Sequence, residues 1–282
     1  MGAFDVSSID STRNNVASGA FSVCLYPYGA GKKRYLLLDD YVLCNFNTHS
    51  SPALSSLNKA DLWIRFLEKV FVKLQSSYAS LDGYYKFNSL YRHPARAMQL
   101  ITGSPIALEV HYKPHQIDEV YDILLATEGK CCRVAHGRKA TDGLHRGHGY
   151  SLLWIGEISG IQLVCVRNPH GKNSYTGEFG RGSSSWSTTD AVSVRRELDT
   201  VSSLAYVHNL LSGSHDNGIF LMRFSVFVEC FPIVSVVGPI IDKDEPSASH
   251  LNGFVVKNCL HKLCGENITH LREMLKIAAV PF

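Results

Sequence analysis

Two short runs carrying a histidine and an asparagine, joined by a tight turn, constrain this chain more than any other feature. Gly147-His148-Gly149-Tyr150-Ser151 opens one strand-like segment, Tyr150 to Ile158, and Arg167-Asn168-Pro169-His170-Gly171 closes a second, Ile161 to Arg167. Ser159-Gly160 between them predicts a two-residue hairpin turn. In that register Ser151 lies opposite Asn168 and His148 opposite Gly171. His148 and Asn168 then stand roughly 10 Å apart at the backbone, at about 3.3 Å per residue. An asparagine oxygen accepting from one imidazole nitrogen fixes the tautomer and aims the other nitrogen at a nucleophile. Read without chemistry, the same residues are a histidine at a strand entrance and an asparagine starting a turn before proline.

Other patterns place the hairpin in an α+β frame. Ala20 to Tyr26 and Arg34 to Leu38 read as strands joined through Pro27-Tyr28-Gly29-Ala30-Gly31. Leu62, Phe66, Val70 and Leu74 recur every four residues beside Trp63, Leu67 and Phe71, with Arg65, Glu68, Lys69 and Lys73 opposite; this is an amphipathic helix. A second helix is expected over Ile117 to Leu125, then an irregular basic loop from Gly129 to Gly147. Gly182 to Thr189 reads as a loop. A short buried helix ends at Pro232 and precedes a strand from Ile233 to Val237. Residues 1–18 form a polar leader, 19–239 a core, and 240–282 a tail beyond a charged boundary, Asp242 to Pro246.

Composition removes several function classes. Hydrophobic and charged fractions of 45% and 19% suit a globular chain. A net charge of +3 is too weak to argue for nucleic acid. The longest apolar stretch, Ile219 to Pro239, holds Arg223, Glu229 and Pro232, which disfavours a membrane span. Eight scattered cysteines without a signal-peptide-like leader predict reduced thiols and a cytoplasmic location.

The motifs around the hairpin resemble the calpain family of papain-like cysteine proteases. Gly143-Leu144-His145-Arg146-Gly147-His148-Gly149-Tyr150-Ser151 is similar to that family's Gly-Leu-x-x-x-His-Ala-Tyr-Ser, and Val166-Arg167-Asn168-Pro169-His170-Gly171 to its Val-Arg-Asn-Pro-Trp-Gly. The helix with Leu67-Glu68-Lys69 and Lys73-Leu74, Ile101-Thr102-Gly103, and Asp216 to Phe220 with the phenylalanines after it extend the match from about Gly19 to Val237. The resemblance implies the second, His/Asn-bearing subdomain of a papain-like protease core, a twisted antiparallel sheet with flanking helices that include the Leu62 to Leu74 helix. It assigns His148 as the general base and Asn168 as its orienter in a Cys-His-Asn endopeptidase acting on protein or peptide substrates.

The departures from the family pattern are as informative. The family's Gln-Gly-x-Leu-Gly-Asp-Cys-Trp segment, which carries the nucleophile, does not occur, and Cys24, Cys44, Cys131-Cys132, Cys165 and Cys230 all lack its context. The chain is therefore expected to begin after the nucleophile-bearing subdomain. It would need that part from a segment encoded upstream or from a second chain, or would act as a non-catalytic peptide- or partner-binding module. His170 stands where the family has a tryptophan that shields the His–Asn bond. The family's calcium ligands map to Ser174, Arg181, Asn217 and Ile219, none of them acidic, so no cofactor is expected. Competing readings are a zinc site from His136, His145, His148 and Cys131 or Cys132, and a nucleic-acid patch from Arg133, Arg138, Lys139 and Arg146. In the tail, Cys259, His261, Cys264 and His270 offer a weaker metal pattern.

Overall fold

Alternating apolar residues build two antiparallel sheets in the computed structural model, which describes residues 19–26, 34–41, 63–75, 77–78, 94–104, 107–137, 141–172, 175–212 and 217–238. These fall into two compact units, one within Met1–Pro105 and the other within Ile106–Pro239. The leader, the Asp242 to Pro246 boundary, the tail with its cysteines and histidines, Cys44 and Ser174 lie outside the described residues.

In the first unit β1 (Ala20–Leu25) pairs with β2 (Arg34–Asp39) from Ala20 opposite Asp39 to Leu25 opposite Arg34. The expected hairpin strands are therefore present. Helix α1 (Trp63–Gln75) lays Phe66 and Val70 against Val23, Leu25 and Leu38, with Leu100 of α2 (Pro94–Thr102) completing the cluster. Phe21 stacks on Phe66 with ring centroids 4.4 Å apart. The sequence reading put α1 over the sheet carrying His148; its apolar row packs instead on the sheet of its own unit. Its lysines reach over that sheet's second strand. Lys73 Nζ donates to Leu37 O at 2.7 Å, and Lys69 Nζ to Asp39 O and Tyr41 O at 2.9 and 2.6 Å and to the Asp39 carboxylate. Alternate carbonyls of a strand point the same way, so these ammonium groups occupy one row of β2 that another strand would otherwise need.

The second unit is built on a six-stranded antiparallel sheet in the order β3-β8-β4-β5-β6-β7. Its strands are β3 (Ala107–His111), β4 (Cys132–His136), β5 (Gly149–Ile158), β6 (Ile161–Arg167), β7 (Ile219–Arg223) and β8 (Ile233–Val237). Helix α3 (Ile117–Ala126) and the short α6 (Phe224–Cys230) pack together on one side, where Tyr121 meets Phe224 edge-on at 5.0 Å. Helices α4 (Thr189–Thr200) and α5 (Ala205–Leu211) cover the other side, with Ala191, Val194, Leu198 and Val207 against Ile158, Leu163, Cys165 and Leu221. No helix among the described residues is long and apolar enough to cross a membrane. The apolar stretch from Ile219 is divided into β7, α6 and β8.

The β5–β6 hairpin turns at Ser159-Gly160 as its sequence requires, with φ of 53° and 75° matching a turn that needs both central residues left-handed. Ile158 faces Ile161 and the pairing is regular to Trp154 opposite Cys165; then it slips, so that Leu152 faces Val166 and Ser151 faces Arg167. Leu153 is the extra residue of a β-bulge. This corrects the register expected from the turn alone, which set Ser151 opposite Asn168. The consequence is large, because a one-residue slip moves every side chain beyond it to the other face. Without the bulge His148 and Asn168 would point to opposite faces. With it, both share the face of Leu152 and Val166.

The expected basic loop, Gly129 to Gly147, also differs, since Cys132–His136 in its first half is β4. Val134 to His136 pair with β5 on one side, and the whole strand pairs with β8 on the other. Past the bulge, Gly218 (φ +78°) carries Asn168 on its carbonyl, the Asn168 N–H donating at 2.8 Å. A Cβ added there would stand 2.5 Å from Asn168 O. Gly218→Ala is therefore expected to destabilise the protein by at least about 1–2 kcal/mol from its left-handed backbone alone. Urea denaturation checks this, and an unchanged midpoint would contradict the close approach.

Candidate active site

The end of β6 and the start of β5 deliver the two polar groups singled out by the sequence. Asn168 follows β6 and begins a turn: Gly171 N donates to Asn168 O at 3.0 Å, and His170 N donates to Asn168 Oδ1 at 3.1 Å. The second bond is an Asx-turn, the local reason asparagine stands before this proline. His148 precedes β5 and is held there by Gly137, whose N–H donates to His148 O at 2.9 Å. Gly137 must lack a side chain, since a Cβ would meet His145 O at 2.7 Å.

His148 Nε2 lies 3.1 Å from Asn168 Oδ1, and Asn168 is only 2% exposed. A backbone N–H can only donate, so the His170 amide identifies the asparagine atom at this corner as the oxygen. An oxygen that only accepts requires a proton on Nε2. Nδ1 is then the basic nitrogen, and among the described residues it takes no hydrogen bond. The turn asparagine and the imidazole partner, two alternative readings of the sequence, are one and the same group.

Aromatic rings enclose the pair unevenly. The fully buried Tyr150 meets His148 edge-on at 4.9 Å and Phe231 at 5.2 Å, and its hydroxyl accepts from His145 N at 2.9 Å. His170 lies over His148 at 4.5 Å with a 37° tilt, while His145 stands edge-on at 6.1 Å. His170 thus packs where a tryptophan was expected from the family pattern, but it is itself exposed. Burial holds the His148 pKa below its ordinary value; the Asn168 bond opposes this, and the neighbouring His170 and His145 add to the lowering.

Cys131, Cys132 and Cys165 do not resemble activated thiols. Cys165 is fully buried on the opposite face of the sheet from Asn168, in the cluster under α4 and α5, and burial pushes its thiol up to about 12. Burial likewise raises Cys131 to about 11 and raises Cys132. The zinc reading is not supported: His136 is engaged with Ser235 Oγ at 2.8 Å, and no group of three or more His, Cys, Asp or Glu among the described residues could hold a metal ion.

The side-chain and backbone oxygens of Asn217, one of the positions matching a calcium ligand, each accept a hydrogen bond. Asn217 Oδ1 accepts from Ile219 N at 3.1 Å, its amide donates to Leu210 O at 3.3 Å, and its carbonyl accepts from Arg167 Nε at 3.3 Å. Arg181 is exposed. Sequence reading missed a further polar cluster, Arg133 with Glu128, because a buried guanidinium has no sequence pattern of its own; Arg133 is 5% exposed.

The family model for calpain family cysteine protease matches residues 5–238. The chain belongs to the calpain family of cysteine proteases, and its α+β architecture accords with a calpain protease core. Among curated relatives, calpain-type cysteine protease ADL1 of Oryza sativa subsp. japonica is 27% identical over 165 residues, 54% of this chain and 7% of that protein. Human calpain-9 is 25% identical over 209 residues, 70% of this chain and 27% of its own length. The calpain-2 catalytic subunit of Gallus gallus is 26% identical over 184 residues, 61% and 23% of the two chains. The chain thus spans about a quarter or less of the length of each of these relatives.

The lowered His148 pKa has a thermodynamic consequence. Below about pH 6.5 the unfolded chain binds this proton more readily than the folded one, so the contribution of His148 to stability is complete above that value. It is lost progressively as pH falls through the window beneath it. Denaturation midpoints compared at pH 7.5 and about 5 should show a smaller loss in His148→Gln than in the parent. Equal losses would show that His148 titrates normally.

Proposed function

We propose that this chain carries the base-and-orienter half of a calpain-type Cys-His-Asn endopeptidase site, with His148 as general base and Asn168 as orienter. The observation that carries the reading is the 3.1 Å bond from His148 Nε2 to Asn168 Oδ1. It leaves Nδ1 as the only nitrogen able to take a proton from a thiol. Once it does, imidazolium and thiolate stabilise each other, and the thiolate attacks a peptide carbonyl. Asn168 stabilises the imidazolium by continuing to accept from Nε2. Protein or peptide substrates follow from this chemistry.

The nucleophile in this reading is not one of the chain's eight cysteines. It comes from a polypeptide bearing the family's Gln-Gly-x-Leu-Gly-Asp-Cys-Trp segment. Residues 19–239 form the calpain-like core, and the unit with His148 works without calcium, since Arg167 and a backbone N–H already occupy the Asn217 oxygens. Cys131, Cys132 and Cys165 are in no disulfide, which favours a reducing, cytoplasmic setting.

A second reading, a non-catalytic module that binds extended peptides, is favoured by the same thiols. Burial suppresses thiolate formation at Cys131, Cys132 and Cys165. Both readings expect the purified chain alone neither to cleave a casein-type substrate nor to be labelled by an active-site epoxide or vinyl sulfone, with or without calcium. Cleavage that disappears in His148→Ala would overturn the assignment of the nucleophile to a segment outside these residues. Adding a polypeptide with the Cys-Trp segment separates the two readings: His148-dependent cleavage supports the peptidase half-site, and binding without cleavage supports the module.

A further inference from the structure

We infer that Arg133 and Glu128 are positioning residues for the His148–Asn168 pair, acting through the β-bulge at Leu153. The inference rests on the reading of His148 and Asn168 as base and orienter. Its geometric part stands independently of that reading.

The bulge creates a local problem. Pairing between β4 and β5 runs only from His136 opposite Gly149 to Val134 opposite Ser151. Beyond Ser151 the side of β5 that faced β4 has no strand to satisfy it, while the chain is buried there. Two side chains take over, Glu128 from the α3–β4 connection and Arg133 from β4 itself. Arg133 Nη2 donates to Leu153 O, the carbonyl of the bulged residue, at 3.3 Å, and Ile155 N donates to Glu128 Oε2 at 3.0 Å. The two are joined by an Arg133 Nη2 to Glu128 Oε2 contact of 2.7 Å. Arg133 Nη1 is in turn oriented by Leu124 O and Thr127 Oγ1, both at 3.4 Å, at the end of α3.

A buried guanidinium is costly unless its protons find acceptors. Here its acceptors include the carbonyl that a regular ladder would not present. A straight β5 would shift that carbonyl and leave both Arg133 and Glu128 short of a partner. The buried pair therefore favours the bulged register over the regular one. The bulged register is in turn the one in which His148 and Asn168 share a face. Neither Arg133 nor Glu128 is among the groups touching His148. Their influence runs through backbone register alone.

The test is a double-mutant cycle read by the NMR titration midpoint of His148 in the full chain. In the parent, Asn168→Ala is expected to lower that midpoint, because the bond to Asn168 favours the imidazolium. In a Glu128→Gln background the same substitution should shift the midpoint by less than half as much. His145 and His170 face His148 in every variant, so their effects cancel in the cycle. Deleting Leu153 removes the extra residue while Leu152 can still face Val166 and Trp154 still face Cys165, so the Asn168 effect should persist there and no longer depend on Glu128, with the methyl signals of Val194 and Leu198 at their folded positions. Leu153→Ala keeps the bulged carbonyl and should leave the effect intact. An undiminished Asn168 effect in Glu128→Gln, or an equally large influence of Glu128→Gln in the deletion background, would overturn the inference. Should Glu128→Gln not fold, Glu128→Asp takes its place; should neither fold, the buried pair would be needed for folding rather than for positioning, and the inference would fall. No Asn168 effect in the parent would refute the His148–Asn168 pairing itself, a separate failure.

Discussion

The site depends on one extra residue. Leu153 interrupts the β5–β6 ladder and turns the side chains before it by one pleat, which brings His148 onto the face of Asn168. The hairpin turn fixes one end of the ladder through the left-handed Ser159 and Gly160. The Asx-turn fixes the other end, since Asn168 Oδ1 is anchored by the His170 N–H before it meets the imidazole. Between the two, the bulge is the only place where the register could change. The buried Arg133–Glu128 pair satisfies the backbone groups exposed there. Site geometry is thus decided some distance along the strand from the groups that use it.

Much of this was legible in the sequence. The turn at Ser159-Gly160, both strands of the hairpin and helix α1 follow from turn chemistry and apolar spacing, and they form over nearly the residues expected. The bulge was not legible, because Leu152, Leu153, Trp154 and Ile155 are all apolar and a continuous apolar run carries no alternation to reveal a slipped residue. Strand β4 was hidden for the opposite reason. Its Arg133 reads as a loop charge, and only the acceptors at Leu153, Glu128 and Thr127 make its burial tolerable. The partner of α1 was misjudged, since an apolar stripe states that a face is buried without saying against what.

The roles proposed for His148 and Asn168 rest on family motifs and not on spacing. Spacing from the turn placed them about 10 Å apart at the backbone by strand rise, and, in that register, on opposite faces. The matched motifs and the folded geometry agree because each reflects the same requirement: one acceptor oxygen, held rigid, must face one imidazole nitrogen. Where the chain departs from the motifs the structure shows a physical substitute. His170 supplies a ring over His148 but remains exposed.

The most direct test of the account is the register of β5 against β6 before Leu153, read from cross-strand backbone proton contacts in solution. The account predicts contacts between Leu152 and Val166 and between Ser151 and Arg167. Contacts of Leu152 with Arg167 and of Ser151 with Asn168 would contradict it, because that ladder has no bulge and puts His148 and Asn168 on opposite faces.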